Sequence, residues 1–249
     1  MPSPNADHAS RPEAGKVFAT THWSVVLKAA GTESRAAEEA LEQLCRMYWY
    51  PLYAYVRRCG FSPADAEDLT QGFFVALLDR NSLAGIKREG GRFRSFLLTA
   101  LKRFLVNEHE RQQTAKRGGG RMHFSLDELA PEERYQFEPV DHLTPDVLFE
   151  RRWASTLLEL AMTRLRTEYV EAGKDQLFQR LQPCLAGAED RVAYAALAKE
   201  LGMTENAIKM AAHRLRRRYG EILRAEVAQT VFTSAEIDDE LRHLIASAR

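Results

Sequence analysis

The segment from Tyr194 to Tyr219 has the pattern of two helices joined by a tight turn. Apolar residues at helical spacing between Ala195 and Leu201 give the first helix one buried face. Gly202 follows the last of them, where a left-handed C-cap is easiest without a β-carbon, and Thr204 is predicted to cap the second helix. This pattern is typical of units that lay their second helix in the major groove of DNA.

The predicted second helix separates apolar from polar side chains. Its inward stripe consists of Ile208, Ala212, Leu215, Tyr219 and Ile222. The residues left on its outward faces are Asn206, Lys209, Met210, His213, Arg214 and Arg217. From position 191 to position 218, seven basic residues stand against two acidic ones, which favours nucleic acid as a partner. The alternative is a solvated face of an ordinary helical hairpin.

Charge is strongly segregated along the chain, although the formal net charge is zero. Positions 87–121 hold ten basic and three acidic residues, whereas positions 122–150 hold one basic and eight acidic residues. Two basic blocks therefore flank an acidic segment. This distribution suits a protein that contacts nucleic acid at two places.

The apolar periodicity predicts an all-α fold, with two helical domains joined by an acidic flexible linker and a helix-turn-helix in the second domain. Helices are expected at about 34–59, from Ser62 onward, and at about 94–111, 145–170 and 176–184, with Pro51 a candidate kink. The predicted divisions are a disordered N-terminus with a short helix (1–33), the first domain (34–115), the linker (116–150), the second domain (151–230) and a C-terminal extension (231–249).

Several functional classes lack their sequence signatures in this chain. The three cysteines have no metal-ligand or redox spacing, and no Walker-type phosphate loop, nucleophile elbow or zinc motif occurs. No apolar run approaches the length of a bilayer span, and the first residues have no signal-peptide pattern. We therefore expect a cytoplasmic protein that is not an enzyme, without a cofactor, a metal or a membrane partner.

An acidic helix is predicted after position 62. Ser62 is its expected cap, and Pro63 takes the first helical position. Asp65, Asp68 and Gln71 are spaced three apart, so they share one exposed, acidic face.

The next predicted helix combines aromatic and basic residues, beginning Phe93-Arg94-Ser95-Phe96-Leu97. Melted DNA exposes bases that are held by stacking on aromatic or arginine planes beside a basic track. The residues that supply this mixture are Phe93, Phe96, Arg92, Arg94, Lys102 and Arg103. Both phenylalanines have core packing as their alternative role.

The order of these elements is an acidic helix, a basic aromatic helix, an acidic linker and a basic helix-turn-helix. It resembles bacterial RNA polymerase sigma factors of the sigma-70 family, in the short extracytoplasmic-function (ECF) type. The resemblance covers about residues 41–227, and its most specific part is the Asp-Ala-Glu-Asp-Leu-x-Gln run at 65–71 followed by Phe-Arg-Ser-Phe-Leu at 93–97. It implies a factor that binds core RNA polymerase, directs it to promoters and helps to melt the minus-10 element.

The resemblance also implies roles for individual residues. Contacts to the clamp helices of the polymerase β′ subunit fall on Asp65, Glu67, Asp68 and Gln71. Minus-10 contacts fall on Arg92, Arg94, Phe96, Lys102, Arg103 and Asn107. Minus-35 contacts fall on Thr204, Asn206, Lys209, Met210, His213, Arg214 and Arg217.

Some positions depart from the family pattern. Gly72 stands where the family usually has Glu, Phe96 where it usually has Trp, and Arg103 where Asn is frequent. Met210 and Ala211 replace a frequent Ser-Arg pair, so the minus-35 sequence does not carry over.

The expected partners are core RNA polymerase, through its β′ clamp helices and β subunit, promoter DNA, and an anti-sigma factor or other regulator. In the family the segment between the domains threads toward the RNA exit path; a solubilising spacer is the other reading of the acidic linker. The alternative function is a stand-alone helix-turn-helix regulator with an N-terminal sensing domain, and an enzyme with a DNA-binding tail is a more distant one.

Overall fold

The computed structural model describes residues 35–78, 92–114, 135, 143–186, 194–231 and 234–248. The described helices are α1 (Arg35–Arg58), α2 (Pro63–Leu78), α3 (Phe93–Thr114), α4 (Pro145–Glu171), α5 (Asp175–Leu181), α6 (Tyr194–Glu200), α7 (Glu205–Ala228) and α8 (Ile237–Ser247), with 3₁₀ turns at Gln182–Ala186 and Ser234–Glu236. Helix accounts for 88% of this part of the chain and no strand occurs in it, which confirms the all-α prediction. The short helix expected before residue 34, the basic loop before α3 and most of the acidic linker lie outside the described residues.

The second half of α1 is the centre of the core. Tyr48, Leu52 and Val56, four residues apart, are fully buried, and most residues between them are buried as well. A helix that is apolar on nearly every side must be surrounded by other elements. α1 accordingly packs against α2, α3 and, most extensively, α4. Pro51 lies inside the continuous helix.

Helix α4 packs against both α1 and α7. Near its start the Trp153 indole N–H donates to the Tyr48 hydroxyl of α1 at 3.1 Å. Further along, the carbonyl oxygen of Leu158 accepts from the Tyr219 hydroxyl of α7 at 3.2 Å. The buried apolar residues on both sides of these contacts form one continuous cluster. The prediction of two separate domains is therefore not confirmed, because one helix packs its two halves against both groups of elements.

The helix predicted from about residue 145 is confirmed, and it includes the last residues that were assigned to the linker. Residues 145–150 form the first turns of α4, and the Thr144 hydroxyl caps this helix by accepting from the Val147 N–H at 3.4 Å. A Pro directly after a Thr cap is a common helix start, since the missing N–H has no partner there in any case. Two of the acids assigned to the linker, Asp146 and Glu150, thus belong to a helix.

The turn between α6 and α7 forms as predicted. Gly202 has φ of 64°, and the following Met203 N–H donates to the carbonyl of Ala198 at 2.9 Å, so the end of α6 is closed by a left-handed glycine. The Thr204 hydroxyl accepts from the Ala207 N–H at 3.2 Å, which confirms it as the N-cap of α7.

Gly202 in this turn and Gly220 in the second half of α7 should respond to alanine in opposite directions. Gly202→Ala places a β-carbon on a left-handed backbone and should lower the free energy of unfolding by about 1–2 kcal/mol. Gly220→Ala adds a methyl group inside α7, where nothing lies within 4 Å of it, and should raise stability by about 0.5–1 kcal/mol. Urea unfolding of the two variants measures this difference. Effects of the same sign would contradict the conformations assigned to these glycines.

Within the part of the chain that the structure describes, no helix is long and apolar enough to cross a membrane.

Candidate functional site

The outer face of α7 carries the side chains that the sequence placed there. The inward stripe from Ile208 to Ile222 is buried or half-buried. The exposed set comprises Asn206, Lys209, Met210, His213, Arg214 and Arg217, with Thr204 exposed at the helix start. Its charges are not tightly held, since Lys209 and Arg217 make exposed ion pairs with acids one turn away, at 2.7 Å and 3.3 Å. The hydrogen bond that the Lys209 ammonium donates to Glu205 raises the pKa of Lys209, so this group stays cationic at neutral pH.

Two other arginines of α7 turn toward the protein. The Arg216 Nε donates to the carbonyl of Cys184 at 3.1 Å. Arg218 makes a bidentate pair with Glu168 of α4, at 2.7 Å and 2.8 Å. Part of the basic cluster at 214–218 therefore fixes α7 against its neighbours, whereas Arg214 and Arg217 are exposed on its outer face.

The pair between Glu168 and Arg218 should make stability depend on pH. Hydrogen bonding to Arg218 lowers the pKa of Glu168 below its ordinary value, so the paired carboxylate stabilises the fold above that value and this contribution is lost as the pH falls through the lowered pKa. At pH 7, Glu168→Gln should cost about 0.5–1 kcal/mol, in line with a partly exposed pair. The difference in unfolding free energy between Glu168→Gln and the wild type should shrink below about pH 4.3, the usual glutamate pKa.

Urea titrations at several pH values measure this effect. Glu171→Gln, which neutralises an exposed acid at the end of the same helix, is the matched control. A Glu168→Gln penalty that persists unchanged under acid conditions would contradict this role for the carboxylate.

The acidic face of α2 is partly used by the helix itself. The Asp65 backbone N–H donates to the Ser62 hydroxyl, and that hydroxyl donates to the Asp65 carboxylate at 2.6 Å. Asp65 and Glu67 are exposed, while Asp68 and Gln71 are half-buried. Gly72, which follows Gln71, faces α3, because a β-carbon at this position would lie 3.4 Å from the Cζ atom of the Phe104 ring. A larger side chain at this position would press on α3.

The predicted minus-10 residues of α3 fall into two groups. Arg103 and Asn107 are exposed, and Lys102 is half-exposed in an ion pair with Asp146 of α4. Phe96 is half-buried with its ring stacked on Phe93, at 6.2 Å between centroids. Phe93 itself is buried against Tyr48, so its alternative role as a core residue is the one that the structure supports.

Arg94 and Arg92 form the second group, and both are engaged inside the molecule. Arg94 is only 3% exposed, and its Nε donates to Glu240 of α8 at 2.7 Å. Its Nη1 pairs with Glu150 of α4, and its guanidinium lies over the Trp153 ring, 5.0 Å from the centroid. Arg92 pairs with the second oxygen of Glu240 at 2.8 Å. In this arrangement Arg94 is not a surface residue, contrary to the sequence-based expectation.

Sequence reasoning missed the acids of this cluster. Glu150 was assigned to the linker, and Glu240 was counted only as part of the C-terminal extension. Burial separates them, because the Glu240 side chain is 1% exposed whereas that of Asp239 is 56% exposed. Helical spacing carried this signal, because Glu240 falls on the same face as Ile237, Leu241 and Leu244.

No family model, curated protein or solved structure gives a significant match to the chain.

Proposed function

We propose that this protein is a sigma factor, which binds core RNA polymerase, directs it to promoters and helps to open the minus-10 element. The observation that carries the proposal is the outer face of α7. The helix begins directly after a tight turn. Its outer face exposes Lys209, His213, Arg214 and Arg217, while the opposite stripe of the same helix is buried or half-buried.

The geometry of α7 suits a major groove. Its 24 residues are about 36 Å long, and recognition helices of this kind read base edges with their first turns. Thr204, Asn206, Lys209 and Met210 lie in those turns. Arg214 and Arg217 follow on the exposed side, where guanidinium groups can contact phosphates.

Two other surfaces fit the remaining steps. The acidic face of α2, from Asp65 to Gln71, would bind the clamp helices of the β′ subunit. On α3, Arg103 and Asn107 are exposed beside the half-buried Phe96. Such a mixture of cationic and aromatic groups holds single-stranded bases.

A stand-alone helix-turn-helix regulator is the second candidate. It is favoured by the continuous core between the predicted domains and by the engagement of Arg92 and Arg94 within the molecule. Such a regulator would bind duplex DNA unaided and would not bind core polymerase.

The core-binding step can be tested with Asp68→Ala and Gln71→Ala. We expect each to weaken binding to core RNA polymerase about tenfold, which corresponds to about 1.4 kcal/mol of lost contact energy. Stability should change by about 0.5 kcal/mol or less, as at other sites near the surface. Titration of labelled protein with core enzyme gives the affinity, and a thermal melt gives the stability.

Glu171→Ala removes an exposed acid from the end of α4 and serves as the matched control. Unchanged core affinity in both α2 variants would remove the acidic face of α2 from the proposal.

A further inference from the structure

Helix α8 packs at the junction between the elements that would meet the promoter. It lies against α4 and α7, and its Leu244 is fully buried. Arg224 of α7 pairs with Asp238 in the first turn of α8. The C-terminal extension is thus docked on the core.

The contact of α8 with α3 is made by a buried carboxylate. Each oxygen of Glu240 faces one arginine, Arg94 at 2.7 Å and Arg92 at 2.8 Å. At the same place the Phe93 N–H donates to the carbonyl of Thr230, directly after α7, at 3.3 Å. The start of α3 is therefore held to the end of α7 and to α8.

A second contact joins α8 to α4. His243 Nε2 lies 2.9 Å from Glu150 and 3.1 Å from the Ser247 hydroxyl. Because both partners meet the same ring nitrogen, the three groups cannot relay a proton as a Ser-His-acid triad does. Their role is to attach the end of α8 beside the Arg94 cluster.

The partners of Glu240 are groups that otherwise bind phosphate. The guanidinium N–H groups that face a buried carboxylate are not available to a nucleic-acid phosphate. In Arg94 these are Nε and Nη1, which face Glu240 and Glu150, and in Arg92 it is Nε, which faces Glu240. Arg92 and Arg94 open the helix that carries Phe96, Arg103 and Asn107. While α8 is docked, the Glu240 carboxylate faces the first two cations of the basic track along α3, and Arg94 is buried.

We propose that α8 is an autoinhibitory latch, whose Glu240 occupies Arg92 and Arg94 in place of a nucleic-acid backbone and holds α3 against α4 and α7. Undocking α8 removes Glu240 from both arginines, and Arg94 then keeps its pair with Glu150 of α4. This inference rests on the proposed function for its biological meaning. The masking of the two arginines is a separate claim that can be measured without polymerase.

The make-up of α8 suits a reversible attachment. It has only 11 residues, a length at which an isolated helix is marginal in water, so undocking also unfolds it. Leu244 is its one fully buried apolar side chain among the described residues, Ile237 and Leu241 are half-buried, and Ile245 is exposed. Its polar attachment to the other helices comes from Asp238, Glu240 and His243, and such attachments respond to competing charge.

The test compares Glu240→Gln with Asp239→Asn in the full chain. Both variants remove one negative charge from the same turn of α8, but Asp239 is exposed and its pair is with Arg242 of the same helix. Hydrogen exchange of residues 237–247 reports whether the latch opens. Fluorescence anisotropy with a labelled oligodeoxythymidine reports whether the arginines become available.

For Glu240→Gln we expect rapid exchange in α8 and about tenfold tighter binding at low salt. The slope of log K against log salt should steepen by about 0.7 for each arginine that gains a phosphate. Asp239→Asn should match wild type in both measurements. Rapid exchange in Glu240→Gln without tighter binding or a steeper slope would overturn the latch.

His243→Gln is a second variant that weakens the docking of α8, and it keeps the test decisive if Glu240→Gln does not fold. It removes the half-exposed contact to Glu150 and leaves the buried core intact, so the same direction of change is expected. Fast exchange in His243→Gln with wild-type DNA affinity would also overturn the latch. If neither the wild type nor the open variants bind core polymerase, the proposed function is overturned. The oligonucleotide result would still decide whether α8 acts as a latch.

Discussion

Replacing Trp153 with alanine is expected to lower the free energy of unfolding by about 3–5 kcal/mol, the range for a large aromatic residue removed from a core. Trp153 is fully buried and holds the Tyr48 hydroxyl by its indole N–H. Burial raises the pKa of Tyr48, so this hydroxyl stays neutral and would lose its partner in the variant. Urea unfolding followed by circular dichroism measures the change.

The same variant tests whether the described helices form one cooperative unit. Trp153 belongs to α4, yet its partner Tyr48 belongs to α1. If the core is continuous, the transitions of a probe near α1 and a probe near α7 should shift together. Val170→Ala, at an exposed position of the same helix, should change stability by about 0.5 kcal/mol or less. A shift confined to one probe would show that the two ends unfold separately.

The double variant Lys209→Ala with Arg214→Ala is expected to reduce promoter-dependent initiation at least about tenfold. Each lost phosphate contact should also lower the salt slope of DNA binding by about one unit. The two side chains lie on the exposed face of α7, so the fold should be retained. Run-off transcription and salt titration of promoter binding measure the two effects.

A charge-matched control is Arg166→Ala with Lys174→Ala, which removes two exposed cations from α4 and the turn after it. It should leave initiation within about twofold of wild type, since surface substitutions away from a site have small effects. Equal activity of the α7 variant and this control would show that α7 does not read promoter DNA.

Local features of the fold could be predicted from the sequence because they depend on neighbouring residues. The left-handed Gly202, the Thr204 cap and the start of α2 at Ser62 and Pro63 each follow from the chemistry of one or two positions. The buried stripe of α7 follows from periodicity. These predictions are confirmed.

Contacts between distant parts of the chain could not be predicted in this way. Arg94 and Glu240 are 146 residues apart, and no spacing rule connects them. A count of basic residues also cannot separate Arg218, which is paired with Glu168, from Arg214, which faces outward. The sequence therefore indicated a basic surface but overstated how many of its cations are available to a partner.

The central claim, that this chain is a sigma factor, is tested most directly by reconstituted transcription with core RNA polymerase. Core enzyme alone and core enzyme with the full chain would be compared on a genomic promoter library, with start sites mapped by sequencing. The proposal predicts initiation at discrete sites that share an upstream element, only when the protein is added, and weak binding of the protein alone to the same duplexes. Tight binding to specific duplex DNA without polymerase, together with no new start sites, would contradict it.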